Sequence, residues 1–543
     1  MNFLSDLIPN SFLETIPLIG LYAESHFRFK IPFSRYFQRE PELIFDTPWR
    51  LEPGQTATLF LVIKDAHLYP VTLNSVRITA LMDEQVVHVW DWSLDQKIED
   101  YHTSLDFHLS DVELPFGEID IIPSLNYSIR GKAKQIVVDN YRQLSKPPLR
   151  VTIAEEPLPN IEGWYSGETH LHSSLTDDQV EFGASLDQTR KGALLCGLDF
   201  VTTTDHSYDL DDMPDNYLEN DPELLKWKSS RKQIAAMNTE TSLTMIPAEE
   251  ISVANKRGDT VHLLHYNDPE YFPGSGDSGE NWPSLNSELT IDDVLSHRSN
   301  NTVSVAAHTG YKFTRLQQLL LKRGFWESQD HDNSELDGVQ ILNGTPGSSG
   351  FQASRQLWID ALLRGKHLAV FGGSDAHGNF NRNWHVKLPP LLLGMSEDQI
   401  LGQVRTLIQS KSNGVPDLIE GMKARRTALT TGPVGDLMLT HDTEIVSIGE
   451  TLSLLHDSEI MITLIGQSTD EFGAELDVAL YWGDLVQGEE SILHHEVDLQ
   501  KRFNIQVPFT PATDGYLRME ISSEGSRWPG VYVSSPIWIE ITP

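Results

Sequence analysis

Residues 368–377 read LAVFGGSDAH, a short apolar segment that ends in Asp375 and His377. Six other segments between residues 160 and 393 have the same form, an apolar run of strand length with polar residues at its end. They are ETHLH (168–172), DFVTTTDH (199–206), MIPAEEI (245–251), TVHLLHY (260–266), TVSVAAH (302–308) and GVQILN (338–343). In six of the seven, the last residues include His, Glu or Asp, the side chains that bind divalent metals.

Stretches of helical period lie between these segments: SLDQTRKGALLCG, ELLKWKSSRKQIAAMN, TIDDVLSH, RLQQLLLKRG and SRQLWIDALLRG. Seven strand and helix units in alternation predict an α/β fold with a parallel barrel. In such a barrel the carboxyl ends of the strands meet at one mouth, so side chains that are distant in the sequence converge there. The sequence therefore predicts one shared site at the strand ends.

The spacing within two of the endings has a local reason. Alternate residues of a strand point to the same face, so His170 and His172 of the HLH motif can reach one ion. The same holds for Asp375 and His377. Either pair alone is weak evidence, and the prediction of a metal site depends on the convergence of all six endings.

Strand-like segments also flank this region. GQTATLFLVIKD, LNSVRITALMD, QVVHVWDW and KQIVVD predict a β-sandwich-like domain over residues 1–155, and EIMITLIGQ, LDVALYWGD, YLRMEISS and SPIWIEI predict a β-domain over 433–543. SEDQILGQVRTLIQ and DLIEGMKARRTALTTGP, at the end of the central region, are expected to be helical and then turn-like. The Gly-, Pro- and Ser-rich segment 272–287 is expected to form a surface loop or lid.

The composition excludes several classes of protein. The chain has 543 residues, 39% of them hydrophobic and 22% charged, which is typical of globular material. The formal net charge of −37 opposes a role as a nucleic-acid scaffold. The single cysteine, Cys196, excludes an intrachain disulfide framework and fits a reducing compartment. With no basic residue before Arg28 and no apolar run of about 20 residues, we expect a cytoplasmic protein without a membrane span.

The motifs GWYSGETHLHSSLTD, TTTDH, PAEEIS, VHLLHY, VAAHTG and GGSDAH resemble, in this order, those of the PHP (polymerase and histidinol phosphatase) metallohydrolases. The resemblance covers residues 160–432. The GWYSGETHLH opening, the ARRTALTTGP exit and the flanking β-domains are most similar to the carbaryl-hydrolase-like branch. The resemblance implies a distorted seven-stranded (βα) TIM-like barrel, here between two β-sandwich-like domains, that binds two or three zinc, manganese or iron ions.

The resemblance also implies a set of metal ligands. One ion would be held by His170, His172, Glu250 and Asp375, and Glu250 would bridge it to a second ion held by His262 and His308. A third ion, whose occupancy stays open, would be held by Asp177, His206 and His377. Glu250 is chosen over Glu249 because the family pattern places the ligand directly before the Ile-Ser of EIS.

The first acidic motif, SSLTDD (173–178), departs from the family pattern. Ser173 and Thr176 replace a threonine and a serine, and Asp177 aligns with the ligand. Asp178 stands where the family has glycine, so whether Asp177 or Asp178 is the ligand stays open. His265 also stands at a glycine position, and both a packed polar role and a substrate contact stay open for it.

Asp205 and Asn343 are predicted to act beside the ligands. Asp205 is expected to orient a ligating imidazole, since such rings donate their second N–H to a carboxylate or carbonyl. Asn343 ends the one strand without an ionisable tip, and a contact with substrate or metal-bound water and a turn role are both open. Candidates for binding an anionic group, with ordinary surface charge as the alternative, are Lys312, Arg315 and Arg382.

A cluster of divalent ions generates hydroxide near neutral pH and stabilises charge on the attacked centre, so it needs no serine or cysteine nucleophile. The chain has no G-x-S-x-G motif, and Cys196 lies on a predicted helix. We therefore expect a metal-dependent hydrolase that cleaves phosphoester bonds of a small molecule with a metal-activated hydroxide. Two alternatives stay open: a metal-dependent hydrolase of carboxylic or carbamate esters, and a non-catalytic, metal-containing binding module.

Overall fold

The computed structural model describes residues 39–141, 146–177, 183–240, 243–277, 285–311, 318, 322–344, 346–381, 385–388, 391–394 and 399–542. Strands make up 47% of these residues and helices 14%. Among the described helices, none is long and apolar enough to cross a membrane.

The N-terminal part consists of two sheets that share one hydrophobic core. Its strands are β1 (Glu42–Asp46), β2 (Arg50–Leu51), β3 (Thr58–Lys64), β4 (Val71–Met82), β5 (Gln85–Ile98), β6 (His102–His108), β7 (Gly117–Ile129), β8 (Lys132–Val137) and β9 (Leu149–Ile153). One sheet has the order β1-β3-β6, and the other has the order β2-β9-β7-β4-β5 with β8 beside β7. In β7 buried residues alternate with more exposed ones from Ile119 to Ile129, as expected for a strand with one face on a core.

The central part supplies strands and all of the described helices. Its strands are β10 (Trp164–Glu168), β11 (Leu171–His172), β12 (Phe200–Thr203), β13 (Asp212–Met213), β14 (Asn216–Asn220), β15 (Thr244–Ala254), β16 (Thr260–Tyr266), β17 (Leu289–Thr290), β18 (Val303–Ala306), β19 (Gly338–Asn343), β20 (Ala369–Gly373), β21 (Ala376–His377), β22 (His385–Leu388), β23 (Leu391–Gly394), β24 (Arg405–Gln409) and β25 (Thr427–Thr430). Its α-helices are α1 (Leu186–Leu195), α2 (Ser207–Leu210), α3 (Leu225–Met237), α4 (Ile291–His297), α5 (Ser349–Leu363) and α6 (Val415–Lys423), with 3-10 helices at Asn238–Glu240 and Asp330–Asp332.

The C-terminal part is again built from strands. They are β26 (Val434–His441), β27 (Glu444–Ser447), β28 (Thr451–Leu455), β29 (Ile460–Gln467), β30 (Glu475–Asp484), β31 (Glu489–Gln500), β32 (Arg502–Phe509), β33 (Gly515–Ser523), β34 (Gly530–Ser534) and β35 (Ile537–Thr542). A four-stranded sheet of order β27-β26-β29-β32 and the remaining strands enclose a common core.

The predicted (βα) TIM-like barrel between separate β-sandwich-like domains is wrong. The seven predicted segments do form seven strands in chain order, β10, β12, β15, β16, β18, β19 and β20, but β16 runs antiparallel to both of its neighbours. The row continues from β10 into the antiparallel strands β24 and β25 and, through β34, into the C-terminal strands. The result is one mixed sheet of 16 strands in a mostly β molecule.

Two of the predicted helical segments have a different outcome. The end of SEDQILGQVRTLIQ forms β24, and every residue from Arg405 to Ile408 is buried, so its apolar side chains fill a strand between β10 and β25. Most of RLQQLLLKRG lies outside the described residues. The other segments form α1, α3, α4, α5 and α6. Ser185 and Ser348 are the N-caps of α1 and α5, and each serine side chain accepts a backbone N–H of the first turn.

The ends of the central strands position the site. β11 and β21 form a separate parallel pair in which His172 lies opposite His377. An isolated parallel bridge joins His206, just after β12, to Glu250 of β15. The backbone N–H of Asp375 donates to the carbonyl of His170 at 2.8 Å. These contacts bring the HLH, TTTDH, EEIS and SDAH motifs together.

Candidate metal centre

Glu250 lies at the centre of the histidine cluster. Its carboxylate is buried, because β15 turns this residue inward while Glu249 faces the opposite side. Five imidazoles approach it with N–O distances of 2.8–3.4 Å. They belong to His170, His172, His206, His262 and His308. A single carboxylate on β15 therefore contacts four other segments of the chain.

Asp375 is the second carboxylate of the cluster. Its Oδ1 lies 3.2 Å from Nε2 of His170 and 3.2 Å from Nε2 of His172. Its Oδ2 accepts hydrogen bonds from Asn343 Nδ2 and Gln399 Nε2, both at 3.1 Å. One oxygen thus faces the histidines, and two amides hold the other.

His377 completes the cluster through strand pairing. Because it lies opposite His172 in the β11–β21 pair, the two rings stack at 4.2 Å with an angle of 10° between their planes. Its Nδ1–H donates to the carbonyl of Asp375 at 3.1 Å. The spacing of the HLH and DAH motifs thus places the rings of His172 and His377 parallel to each other at the edge of the site.

Three groups of these side chains have ligand atoms close enough to hold one ion each, with all atoms of a group within 4.8 Å of one another. The first donor group is His170, His172, Glu250 and Asp375. The second donor group is His206, Glu250 and His262, and the third donor group is His172, His206 and His377. The first group has the composition that the sequence predicts.

The outer nitrogens of two ligands are fixed by hydrogen bonds. Nδ1–H of His170 donates to Gln340 Oε1 at 2.9 Å. Nδ1–H of His172 donates to Thr176 Oγ1 at 3.1 Å, and this hydroxyl donates in turn to Asp205 Oδ1 at 3.1 Å. Both rings therefore present Nε2 to the carboxylates, and an outer hydrogen bond of this kind orients a ligating histidine.

Because Nδ1 of His172 is engaged by Thr176, only Nε2 of this ring can bind an ion. The first and third donor groups both need that atom, so they cannot be complete at the same time. Glu250 has two oxygens and belongs to both the first and the second group: Oε1 lies near His262 and His170, and Oε2 lies near His172 and His206. The donor set therefore fits two ions with Glu250 as the bridge.

At Glu250 and His262, neighbouring charges oppose the effect of burial on the pKa. Burial lowers the pKa of His262, but the charge of Glu250 together with the hydrogen bonds to Asp277 and Glu250 raises the value to about 10. Burial raises the pKa of Glu250, but the charges of His262, His170 and His206 hold it well below its usual range. Burial and the charge of His172 lower the pKa of His377 to about 3. The centre thus holds ionised carboxylates among imidazoles of very different basicity.

Backbone strain occurs at two of the predicted ligands. His308 has φ of +29° and Asp375 has φ of +54°, values in the left-handed region that residues other than glycine rarely adopt. Such conformations cost on the order of 1–3 kcal/mol each and cluster at functional sites. His308 is held there partly by its backbone N–H, which donates to Gln340 Oε1 at 3.1 Å.

A divalent ion fits the residues that are present. Nε2 of His170 and Nδ1 of His206 are buried 3.1–3.4 Å from carboxylate oxygens, yet they form no hydrogen bond of regular geometry among the described residues. A buried polar atom without a partner costs about 1–3 kcal/mol. An ion in the first or second donor group would satisfy these atoms, and the mixture of imidazole and carboxylate ligands suits zinc, manganese or iron.

A small cleft, partly open to solvent, lies beside the centre. Its cavity volume is about 10 Å³, which is room for about one water molecule. The residues that line it include His262, His308, Tyr311, Arg323 and Trp326.

Asp177 does not belong to any of the three donor groups. It is buried and forms an ion pair with Lys64, at the end of β3 in the N-terminal part. His172 takes the place that the sequence gives to Asp177 beside His206 and His377. The predicted role of Asp177 as a ligand stays a prediction.

Asp205 and Asn343 both contact the site through other residues. Asp205 accepts hydrogen bonds from the backbone N–H and hydroxyl groups of Ser173 and Thr176 at 2.7–3.1 Å, so it reaches His172 only through the Thr176 hydroxyl. Asn343 holds Asp375, and its own Oδ1 is buried without a hydrogen-bond partner among the described residues.

Two neighbours of the ligands face away from the centre. Glu249 accepts hydrogen bonds from Trp227 Nε1 at 2.6 Å and Arg231 Nη2 at 2.5 Å, both on α3. His265 is buried, and its two ring nitrogens contact Ser304 and Asp268. Of the two roles left open for this residue, these contacts fit the packed polar one. The predicted anion-binding residues Lys312, Arg315 and Arg382, and also Asp178, lie outside the described residues.

Sequence reasoning missed several residues that shape the site. Gln340 lies inside β19 and fixes both His170 and His308. Glu168 accepts the backbone N–H groups of His170 and Ser374, which join the two motifs, and burial raises its pKa to about 7. The available signal is a polar residue inside an otherwise apolar strand, since such a residue needs a hydrogen-bond partner. Asp277 and Arg323, beside His262, gave no sequence signal.

Comparisons with known proteins do not identify the chain. No family model and no curated protein matches it. Solved structures that were found include a β-glucuronidase from Bacteroides uniformis, with 11% identity, a TM-score of 0.18, and coverage of 92% of this chain and 61% of that one. A putative β-galactosidase from Bacteroides fragilis has 10% identity, a TM-score of 0.19, and coverage of 92% and 73%. The chain thus spans about three fifths of the glucuronidase, and TM-scores this low carry no argument about fold or function.

Proposed function

We propose that the protein is a metal-dependent hydrolase that cleaves phosphoester bonds of a small molecule. The observation that carries the proposal is Glu250, a buried carboxylate with five imidazole nitrogens at 2.8–3.4 Å. Divalent ions held there would lower the pKa of bound water and stabilise charge that develops on the attacked group and the leaving oxygen.

The side chains of the centre have separate tasks in this proposal. Glu250 and Asp375 would help to hold the ions and balance their charge. Gln340 and Thr176 hold His170 and His172 with Nε2 inward, so these rings stay in the binding tautomer without rearrangement. The cleft beside His262 and His308 has room for about one water molecule, the nucleophile of the proposed reaction.

The described residues give little support to a protein nucleophile. Cys196 is buried at the end of α1, and burial raises the pKa of its thiol to about 12, so it is not a thiolate at neutral pH. Ser304, His265 and Asp268 form a hydrogen-bonded chain, but the Ser304 hydroxyl is fully buried within β18 and cannot reach a substrate. Water activated at the centre is the nucleophile that fits best.

The charge of the chain permits a phosphoester substrate only where cations are bound. The chain carries a formal net charge of −37, so an anionic substrate would be repelled except where bound cations reverse the local potential. A cluster of ions held by the imidazoles would do this at the centre. The guanidinium of Arg323 also lines the cleft, but it is paired with Asp277.

The test measures hydrolysis of p-nitrophenyl phosphate, bis-p-nitrophenyl phosphate and p-nitrophenyl acetate by protein loaded with Zn²⁺, Mn²⁺ or Fe²⁺ and by chelated protein. We expect metal-dependent turnover of a phosphate ester. Glu250→Gln should lower this turnover by more than the roughly 100-fold that the loss of an outer partner costs. Glu249→Gln, at the neighbouring position that faces α3, is the matched control and should keep the turnover.

Other outcomes contradict parts of the proposal. Turnover of the acetate ester alone would replace the phosphoester with a carboxylic ester. Bound ions without turnover of any of the three esters would favour a binding module.

A further inference from the structure

Strand β16 carries two histidines, and each is paired with a carboxylate outside the strand at the same distance. Nε2 of His262 lies 2.9 Å from Asp277 Oδ2, and Nε2 of His265 lies 2.9 Å from Asp268 Oδ2. All four residues are buried. The pairs differ in what the other ring nitrogen contacts. Nδ1 of His262 lies 2.8 Å from Glu250 Oε1, whereas Nδ1 of His265 lies 3.0 Å from Ser304 Oγ.

Asp277 is held by groups from three parts of the chain. Its Oδ2 lies within 3.2 Å of Ser252 Oγ on β15, within 2.9 Å of His262 Nε2 on β16 and within 3.1 Å of Arg323 Nη2. The residue has no exposed surface. A charged donor on the carboxylate lets it stay ionised in this buried position.

The segment before Asp277 is also fixed at the site, although the sequence predicted a surface loop or lid from residue 272 onward. The hydroxyl of Tyr271 donates to the carbonyl of Ser207 at 2.7 Å, one residue after His206. At Gly274 an added Cβ would lie 2.0 Å from Ser207 Oγ, so the backbone passes directly over α2. This close approach delivers the Asp277 carboxylate to His262.

We propose that Asp277 is a positioning residue of the metal centre, which holds His262 so that Nδ1 binds an ion in the second donor group. The proposal rests on the proposed metal-dependent function. With Nδ1 on the ion, a neutral imidazole carries its proton on Nε2, and Asp277 accepts that N–H. The carboxylate thereby fixes the tautomer and orientation of the ring and makes its free nitrogen a stronger ligand. Arg323 holds the carboxylate through Nη2, and its Nη1 lies 3.1 Å from Nε2 of His262, so the proposal requires the proton on Nε2 to point to Asp277 and not to the guanidinium.

The test compares Asp277→Asn with Asp268→Asn. The second variant is the matched control because it makes the same change on a pair that ends at Ser304 instead of the centre. Titration of the metal-free proteins with Mn²⁺ and with Zn²⁺ gives the dissociation constants, and thermal melting reports stability. We expect Asp277→Asn to weaken one ion by about 10- to 100-fold and to leave the other ion near the wild-type value. Asp268→Asn should bind both ions like the wild type.

Either of two results would overturn the proposal: wild-type affinity in folded Asp277→Asn, or an equal loss of affinity in Asp268→Asn. Asp277→Glu keeps the charge and should recover part of the affinity, which a purely structural effect of the amide would not produce. If Asp277→Asn does not fold, the nitrogen chemical shifts of His262 in the Zn²⁺-loaded wild type still decide. Ion binding through Nδ1 with a proton on Nε2 agrees with the proposal, and binding through Nε2 refutes it.

The same measurements distinguish a failure of the positioning role of Asp277 from a failure of the proposed hydrolase. Ions that bind and depend on Asp277, in a protein that hydrolyses no ester, would refute the proposed hydrolase and keep the positioning role. A wild type that binds neither metal would refute both.

Discussion

The Thr176 hydroxyl connects three parts of the site. It accepts Nδ1–H of His172 and the backbone N–H of His206, and it donates to Asp205. It is buried, so water cannot replace these partners. A hydroxyl is the group that accepts from two donors and still donates to a carboxylate, and this explains why a small polar residue stands between two motifs.

Thr176→Val tests this role because it keeps the shape of the side chain and removes the hydroxyl. We expect a loss of about 1–3 kcal/mol in unfolding free energy, since the buried carboxylate of Asp205 and the ring of His172 each lose a partner. Metal affinity should fall about 10-fold. Thr189→Val is the control, because the Thr189 hydroxyl is also buried but has no hydrogen-bond partner among the described residues. Equal losses in the two variants, measured by denaturation and metal titration, would contradict the assigned role.

The protonation of His262 predicts how metal affinity depends on pH. The pKa of His262 is raised to about 10 in the ion-free protein, so at neutral pH the ring is positively charged, with a proton on each nitrogen. A proton on Nδ1 must leave before an ion binds there, and affinity should therefore rise with pH from 6 toward 10 by up to about 10-fold per pH unit for each proton displaced. Calorimetry in buffers of different ionisation enthalpy should show proton release. Affinity that is constant over this range would contradict the prediction.

At the scale of elements, the sequence predicts the order of the seven central strands but not the antiparallel direction of β16. The seven apolar segments become adjacent strands because their side chains are buried on both faces, as in TVHLLHY, where all seven residues of β16 are buried. A parallel arrangement also needs a crossover of a dozen or more residues. Only NKRGD (255–259) joins β15 to β16, and Gly258 has φ of +82°. This short turn forces an antiparallel hairpin and excludes a regular (βα) barrel.

The site was partly predictable for the same reason. Alternation along β15 and the HLH and DAH spacing require only local geometry, and they place Glu250, His172 and His377 inward. Gln340 and Asp277 depend on tertiary contacts between segments that are distant in the chain. No spacing rule connects such residues to the ligands, so sequence reasoning did not find them.

The close approach of β20 to the HLH motif gives a prediction at the scale of elements. A Cβ added at Gly373 would lie 2.6 Å from Cβ of His170 and 2.8 Å from its backbone N. Gly373→Ala should therefore push β11 away from β21, cost about 1–3 kcal/mol in unfolding free energy and reduce metal content. Gly350→Ala is the control, because the nearest atom to its added Cβ is 3.8 Å away and α5 gains a better helix former. Normal metal content in folded Gly373→Ala would show that the strand pairing does not control the site.

At the scale of the whole molecule, the N-terminal part reaches the edge of the metal centre. Lys64 ends β3 and forms a buried ion pair with Asp177, the residue after Thr176. His102 of β6 contacts the same segment, with Nε2 3.1 Å from the carbonyl of Gly183. The N-terminal sheets thus support the loop that carries the first acidic motif.

The Lys64–Asp177 pair allows a test of the third ion. If Asp177 were a ligand, Asp177→Asn would lower the number of bound ions per chain. The ion pair and the shared Nε2 of His172 lead us to expect the opposite: two ions in the wild type and two in Asp177→Asn. The variant should instead lose on the order of 3 kcal/mol in unfolding free energy, because it removes the carboxylate that pairs with the buried ammonium of Lys64. Lys64→Met should lose a similar amount. Metal analysis by mass spectrometry gives the ion count, and denaturation gives the stability. Three ions in the wild type and two in Asp177→Asn would restore Asp177 as a ligand.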